Sequence, residues 1–132
     1  MKKKEKDKYK AILLSVLARH VGKSKSISME QLHKEVFGSE PEDKYNSTRV
    51  LRKLVEELRR EGVPICSSMQ STGGGYYIAA AGSELEAYLK NLRKRALKAL
   101  MLEAKLRNMA LPKLIGQIQL NLGGYNESKQ GS

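Results

Sequence analysis

The sequence predicts an α+β chain that is mostly helical, with three short helices and a small β-hairpin followed by one long helix. Three observations carry that expectation. Apolar residues recur at spacings of three and four in separate segments, each bounded by a glycine or a polar cap. One glycine-rich stretch, "QSTGGGYYIAA", divides two short strand-like runs. Beyond it, a capped stretch free of glycine and proline runs from Glu84 to about Ala110.

A chain of 132 residues has room for one modest core and an appended helix. Lysine and arginine total 25 against 14 acidic residues, a formal net charge of +11. At this length such a balance points to a polyanionic partner, with nucleic acid the first candidate and an anionic membrane surface the second. No run of about 18 apolar residues is present to span a bilayer, and "MKKKEKDKYK" is charged where a signal peptide needs an apolar segment. A soluble, cytoplasmic protein with no membrane partner is expected. One cysteine, Cys66, and two histidines, His20 and His33, supply too few ligands for a zinc centre, and no other cofactor is indicated.

Each element has its own local signal. Residues 1–8, rich in lysine with little to bury, read as a basic flexible arm. From Tyr9 the positions Ile12, Leu13, Val16, Leu17 and Val21 share one helical face, and Gly22 is the stop. Ile27 suits a short strand. Ser28 with Gln31 has capping-box spacing and Ile27 with Leu32 that of a hydrophobic staple, so a second helix should start at Met29 and end at Gly38.

Ser47 suits the cap of a third helix, residues 47–61, in which Val50, Leu51, Leu54, Val55 and Leu58 form the apolar stripe. At about 100° per residue, Arg49, Lys53, Glu56 and Arg60 lie opposite that stripe, with Arg52 on its flank. "VPICSS" begins as an edge strand would, "YYIAA" is its partner, and "MQSTGGG" is the turn. Ser83 with Glu86 then has capping-box spacing at the head of the long helix, and Pro112 bounds it. Leu114 to Leu122 is a short amphipathic piece, helix or strand, and residues 125–132 read as a disordered tail.

The three glycines do not make a phosphate cradle. A Walker loop needs lysine and then serine or threonine directly after its last glycine, between a strand and a helix; here Tyr76 and Tyr77 follow, inside a strand. Gly73, Gly74 and Gly75 are contiguous, which also breaks the dinucleotide pattern. A hairpin tip remains. The histidines have no partner at metal or catalytic spacing and read as structural, Cys66 as a small half-buried residue. No nucleophile, base and acid are brought together, so no enzyme is expected.

This order of elements is the layout of a winged helix-turn-helix. "ELRREGVPI" followed by "GGGYYIA" resembles small winged-helix proteins, the biotin-repressor type of N-terminal domain and short phage and prophage proteins, over residues 9–81. The resemblance implies double-stranded DNA as partner, the third helix in a major groove and the hairpin as a wing. On this sequence it marks Ser47, Thr48, Arg49, Arg52 and Lys53 for the recognition helix, and Gln70, Ser71, Thr72, Gly73 and Gly74 for the wing. Arg49 or Arg52 would read a base, since arginine pairs with guanine through two hydrogen bonds, while Ser47 and Thr48 would serve phosphates. The competing reading is a merely solvated face: Glu56, Glu57 and Glu61 would repel phosphate, and no cation stands at the wing tip.

The long helix exceeds what a small core needs. Leu85, Leu89, Leu92, Ala96 and Ala99 form one seam, with Lys90, Lys94, Lys98 and Lys105 across from it, and Leu97, Met101 and Ala104 add apolar surface on a second side. Residues 82–124 are therefore expected to serve dimerisation or a protein partner through Leu92, Leu97, Leu100, Met101 and Ala104, the alternative being an intramolecular hairpin. The expected function is a transcriptional regulator of phage or mobile-element kind binding as a homodimer. The alternative is a replication accessory or adaptor that recruits other proteins.

Overall fold

The structure, a computed structural model, describes residues 2–42, 48–69 and 75–130, with residues 123–130 described by backbone alone. It is α+β and mostly helical: α1 (Lys3–Leu17), β1 (Ile27–Ser28), α2 (Met29–Phe37), α3 (Arg49–Arg60), β2 (Ile65–Ser68), β3 (Gly75–Ile78), α4 (Ser83–Leu106) and α5 (Leu111–Gln130). The chain divides into two compact units, Met1–Tyr88 and Leu89–Ser132. Among the described residues no helix is long and apolar enough to cross a membrane.

In the first unit, Leu13, Val16 and Leu17 of α1, Leu32 and Val36 of α2, and Leu51, Leu54, Val55 and Leu58 of α3 form one buried cluster with Ile27, Ile65 and Tyr76. The strands form an antiparallel sheet in the order β1-β3-β2. Ile27 pairs with Tyr76 and Ser28 with Gly75 on one side of β3, while Ile65 pairs with Ile78 and Ser68 with Gly75 on the other. The sheet closes one side of the helical core because Ile27, Ile65 and Tyr76 point into it.

Two ends obey the local signals closely. The Gln31 N–H donates to Ser28 Oγ at 3.2 Å, capping α2, and Gly38 closes it in the left-handed region, φ 81°. At the end of α3, Gly62 is left-handed, its N–H donates to the Arg59 carbonyl, and the Val63 N–H reaches back to Leu58.

Other expectations are corrected. The basic arm is the first two turns of α1, which starts at Lys3 and not at Tyr9. α1 also stops at Leu17, before Val21; that residue makes a parallel bridge to Ile78, with the Ile78 N–H donating to the His20 carbonyl at 2.9 Å. Val50 is exposed, outside the buried stripe of α3. The Ser83–Glu86 capping box does not form: α4 already includes Ser83, and it is the Glu84 carboxylate that accepts from the Ala80 N–H at 3.0 Å.

In the second unit α4 ends at Leu106, four residues short of the expected Ala110. Asn108 takes the left-handed conformation, φ 55°, its N–H donating to the Lys105 carbonyl and the Met109 N–H to Ala104, so the last turn is closed without glycine. Pro112 lies in the first turn of α5, where its missing N–H costs nothing. The Leu114–Leu122 piece is helical, and α5 runs on to Gln130.

Candidate nucleic-acid interface

The side chains of α3 sort by face. Leu51, Leu54, Val55 and Leu58 are buried, Arg49, Lys53, Glu56 and Arg60 are exposed, and Arg52, Glu57 and Arg59 are half-buried between them. Arg49, Arg52, Lys53, Glu56, Glu57 and Arg60, with Lys6 of α1, line one shallow depression of about 460 Å³. Thr48, expected as a phosphate contact, is only 2% exposed, so its side chain is inside the fold and does not face a ligand on this surface. Ser47 and the wing residues Gln70, Ser71, Thr72, Gly73 and Gly74 lie outside the described residues.

Each carboxylate of α3 and of its C-cap, Glu61, that would repel a polyanion has a cationic neighbour. Glu57 is paired with Lys6, Glu61 with Lys10 at 2.6 Å, and Glu56 with Arg59 at 2.6 Å. The first two pairs step by four residues on both helices, so α1 and α3 run side by side in the same direction. Within the lysine run of residues 2–10 nothing in composition distinguishes Lys6 and Lys10 from their neighbours. The signal was there: they continue the stripe of Leu13 and Leu17 backwards by one turn each.

The hydrogen bond from Lys6 holds the Glu57 carboxyl below the usual carboxylate range, and the one to Glu61 raises the Lys10 ammonium. A depressed Glu57 favours the fold above its unfolded pKa, about 4.3, an effect lost as pH falls through the folded value; a raised Lys10 does so below about 10.4, lost as pH rises through its folded value. Both pairs are therefore intact throughout the neutral range.

Arg59 is occupied by the protein itself. Its Nε donates to the Ile65 carbonyl at 2.9 Å and Nη2 to Ser67 Oγ at 3.0 Å, and its guanidinium sits 5.8 Å from the Tyr76 ring centroid. It ties α3 to the sheet. Tyr76 and Tyr77 are buried, and burial pushes the Tyr76 phenol up, so neither ring offers a platform for stacking a base.

The histidines have structural partners. His20 Nδ1–H donates to the Lys25 carbonyl at 2.8 Å, and His33 Nδ1–H to that of Ser39 at 2.6 Å; His33 also packs on Phe37, which in turn meets Tyr9 of α1. Cys66 is a free, half-buried thiol. Among the described residues no group of three or more histidine, cysteine or acidic side chains could hold a metal ion.

On the second unit, the five residues marked for dimerisation do not form one surface. Leu92 is 40% and Met101 48% exposed, but they lie about 180° apart around α4 at 100° per residue. Leu97 is on the Met101 side, Leu100 is half-buried nearer the Leu92 side, and Ala104 is buried and unavailable. Leu97 and Met101 share a depression of about 370 Å³ with Lys90, Arg93, Lys94 and Lys98. Packing that side against its own copy would oppose like charges. The Leu89 and Leu92 side is flanked by Arg93 and Arg95 but has no lysine among its i+3 and i+4 neighbours. Residues 89–99 of α4 are all exposed, whereas Ala104 near its end and Leu114 of α5 are buried.

No protein family, curated protein or solved structure matches the chain.

Proposed function

We propose that residues 9–81 form a winged helix-turn-helix that binds double-stranded DNA sequence-specifically, with α3 as the reading helix. The observation that carries this reading is the cationic outer face of α3, whose own acids are matched by Lys6, Lys10 and Arg59. The element order and the β1-β3-β2 sheet, which set the β2–β3 pair beside α3, support it. Arg49 and Lys53 are the exposed cations nearest the start of α3, where a reading helix meets base edges, and Arg60 extends the row toward phosphates. A role as transcriptional regulator, of phage or mobile-element kind by resemblance, follows from such reading.

The test is selection from a randomised duplex pool at about 150 mM salt, with Arg49→Ala in parallel. A defined motif that the variant alters or loses supports the reading; no motif at all would overturn it.

Two smaller effects follow. Lys6→Gln/Lys10→Gln leaves Glu57 and Glu61 uncompensated beside the reading face, so duplex binding should weaken several-fold with the circular dichroism spectrum unchanged. Unchanged affinity would mean that these pairs serve the fold alone. The protein is further proposed to be a homodimer through the exposed Leu89 and Leu92 side of α4, setting two copies on two half-sites. Leu89→Glu/Leu92→Glu should then be monomeric by light scattering at micromolar concentration; a variant that keeps the wild-type mass rules that surface out.

A further inference from the structure

Most of the net positive charge lies outside the unit that holds α3. In Met1–Tyr88, 16 basic residues face 12 acidic ones; from Leu89 onward there are nine basic and two acidic. The second unit thus carries the larger part of the net +11. Its density peaks in the middle of α4, where Lys90, Arg93, Lys94, Arg95 and Lys98 occupy nine residues without an acid among them. All five are exposed, and among the described residues none is in an ion pair.

From these observations we infer that Lys90–Lys98 of α4 is a second polyanion site, which binds the phosphate backbone of duplex nucleic acid without reading sequence. Four of the five, Lys90, Arg93, Lys94 and Lys98, line one face of the helix, with Arg95 on the far side; four charges over about 12 Å come near the spacing of phosphates along one strand of a duplex, one per about 3.4 Å. A match in linear density fits a repeating polyanion better than a single anionic group. Lys90, Lys94 and Lys98 are successive i, i+4 neighbours, and Lys90 with Arg93 and Arg95 with Lys98 are i, i+3 neighbours, so each pair repels its fellow in the free helix. Phosphates alongside would turn that repulsion into attraction. The end of α4 has no such arrangement: Lys105 stands two residues past Glu103, and Arg107, just past the helix, is paired with Glu103 at 2.8 Å.

This site is independent of the reading assigned to α3, and the experiment separates the two. The full chain, Lys90→Gln/Arg93→Gln/Lys94→Gln/Arg95→Gln/Lys98→Gln, and Arg49→Ala/Lys53→Ala are titrated with a 30-bp duplex of arbitrary sequence over a series of salt concentrations. Each phosphate contact contributes about 0.9 to the slope of log K against log salt. The five-glutamine variant should lose about 3 to 4 from that slope and bind more than about 10-fold more weakly at 100 mM salt. Arginine at Lys90, Lys94 and Lys98 should keep the wild-type slope. Because glutamine is a good helix former and removes repulsion, the variant should retain its helical spectrum. A slope equal to wild type in the five-glutamine variant overturns the proposal. So does a variant that keeps its duplex affinity but loses binding to phosphatidylserine vesicles, which would assign this face to an anionic membrane surface.

Discussion

Replacing Arg49 and Lys53 by alanine should lower affinity for the selected duplex by about 10- to 100-fold, at an unchanged melting temperature. A bidentate arginine contact to guanine discriminates by about 1–3 kcal/mol, and about 1.4 kcal/mol is one decade in affinity. Lys53, as a phosphate contact, should add a loss that is the same for every sequence and reduce the salt slope by about 1. The single variants therefore differ in kind: Arg49→Ala relaxes the preferred base at one position, and Lys53→Ala weakens all duplexes alike. Both side chains are exposed on α3 and outside its buried cluster, so stability should move by no more than about 0.5 kcal/mol. Electrophoretic mobility shifts on the selected site and on a scrambled one, with melting curves, check it. An affinity ratio between the two duplexes that the double variant leaves intact would remove α3 as the reader.

The salt dependence of binding would be misleading on its own. If α4 engages the duplex backbone through Lys90–Lys98, general affinity belongs to the second unit, and the first contributes selectivity on a more nearly balanced charge. Net charge alone then says little about which helix reads. The pairing of Glu57 with Lys6 and of Glu61 with Lys10 makes the same point at closer range. Counted along α3, these acids argue against a nucleic-acid face. Seen beside α1, they fasten two helices together.

Local rules carried the reading where a residue's role depends on its immediate neighbours in the chain. Ser28 caps α2 and Gly38 closes it, as their spacing from Gln31 and Phe37 indicates, because capping is a matter of three or four residues. They failed where a partner lies far off in sequence. Residues 3–8 look like a solvated arm until Glu57 of α3 is set opposite Lys6. With Asn108 closing it, α4 ends four residues before the Ala110 that Pro112 suggests, and at its head the Glu84 carboxylate accepts from the Ala80 N–H in place of a Ser83–Glu86 capping box. The exposed face of α3 was legible from 100° periodicity, since Arg49, Lys53, Glu56 and Arg60 are all on it. Thr48 was not, because burial at the first turn of a helix depends on what packs over it.

Gly75→Ala is expected to destabilise the first unit, lowering the unfolding midpoint by about 5–20 °C. The sequence places Gly75 with Gly73 and Gly74 as turn chemistry, but it is the first residue of β3, flanked by Ser28 on one side and Ser68 on the other. A Cβ there would stand 2.5 Å from the Ile27 carbonyl oxygen and 3.0 Å from its carbon. Both are backbone atoms of a paired strand, so no side chain can swing away and the strand itself must yield. Overpacking of this kind costs about 1–3 kcal/mol, and each kcal/mol moves the midpoint of a small domain by about 4–8 °C. The damage should also travel, because Ile27 is a core residue and Ser28 both pairs with Gly75 and caps α2. Gly116→Ala is the control: its Cβ would meet nothing within 4 Å, inside helix α5. There alanine should be neutral or stabilise by up to about 1 kcal/mol. A Gly75→Ala midpoint within about 2 °C of wild type would mean that β1 can withdraw from β3 without cost, and that the edge of the sheet does not hold the start of α2 in place.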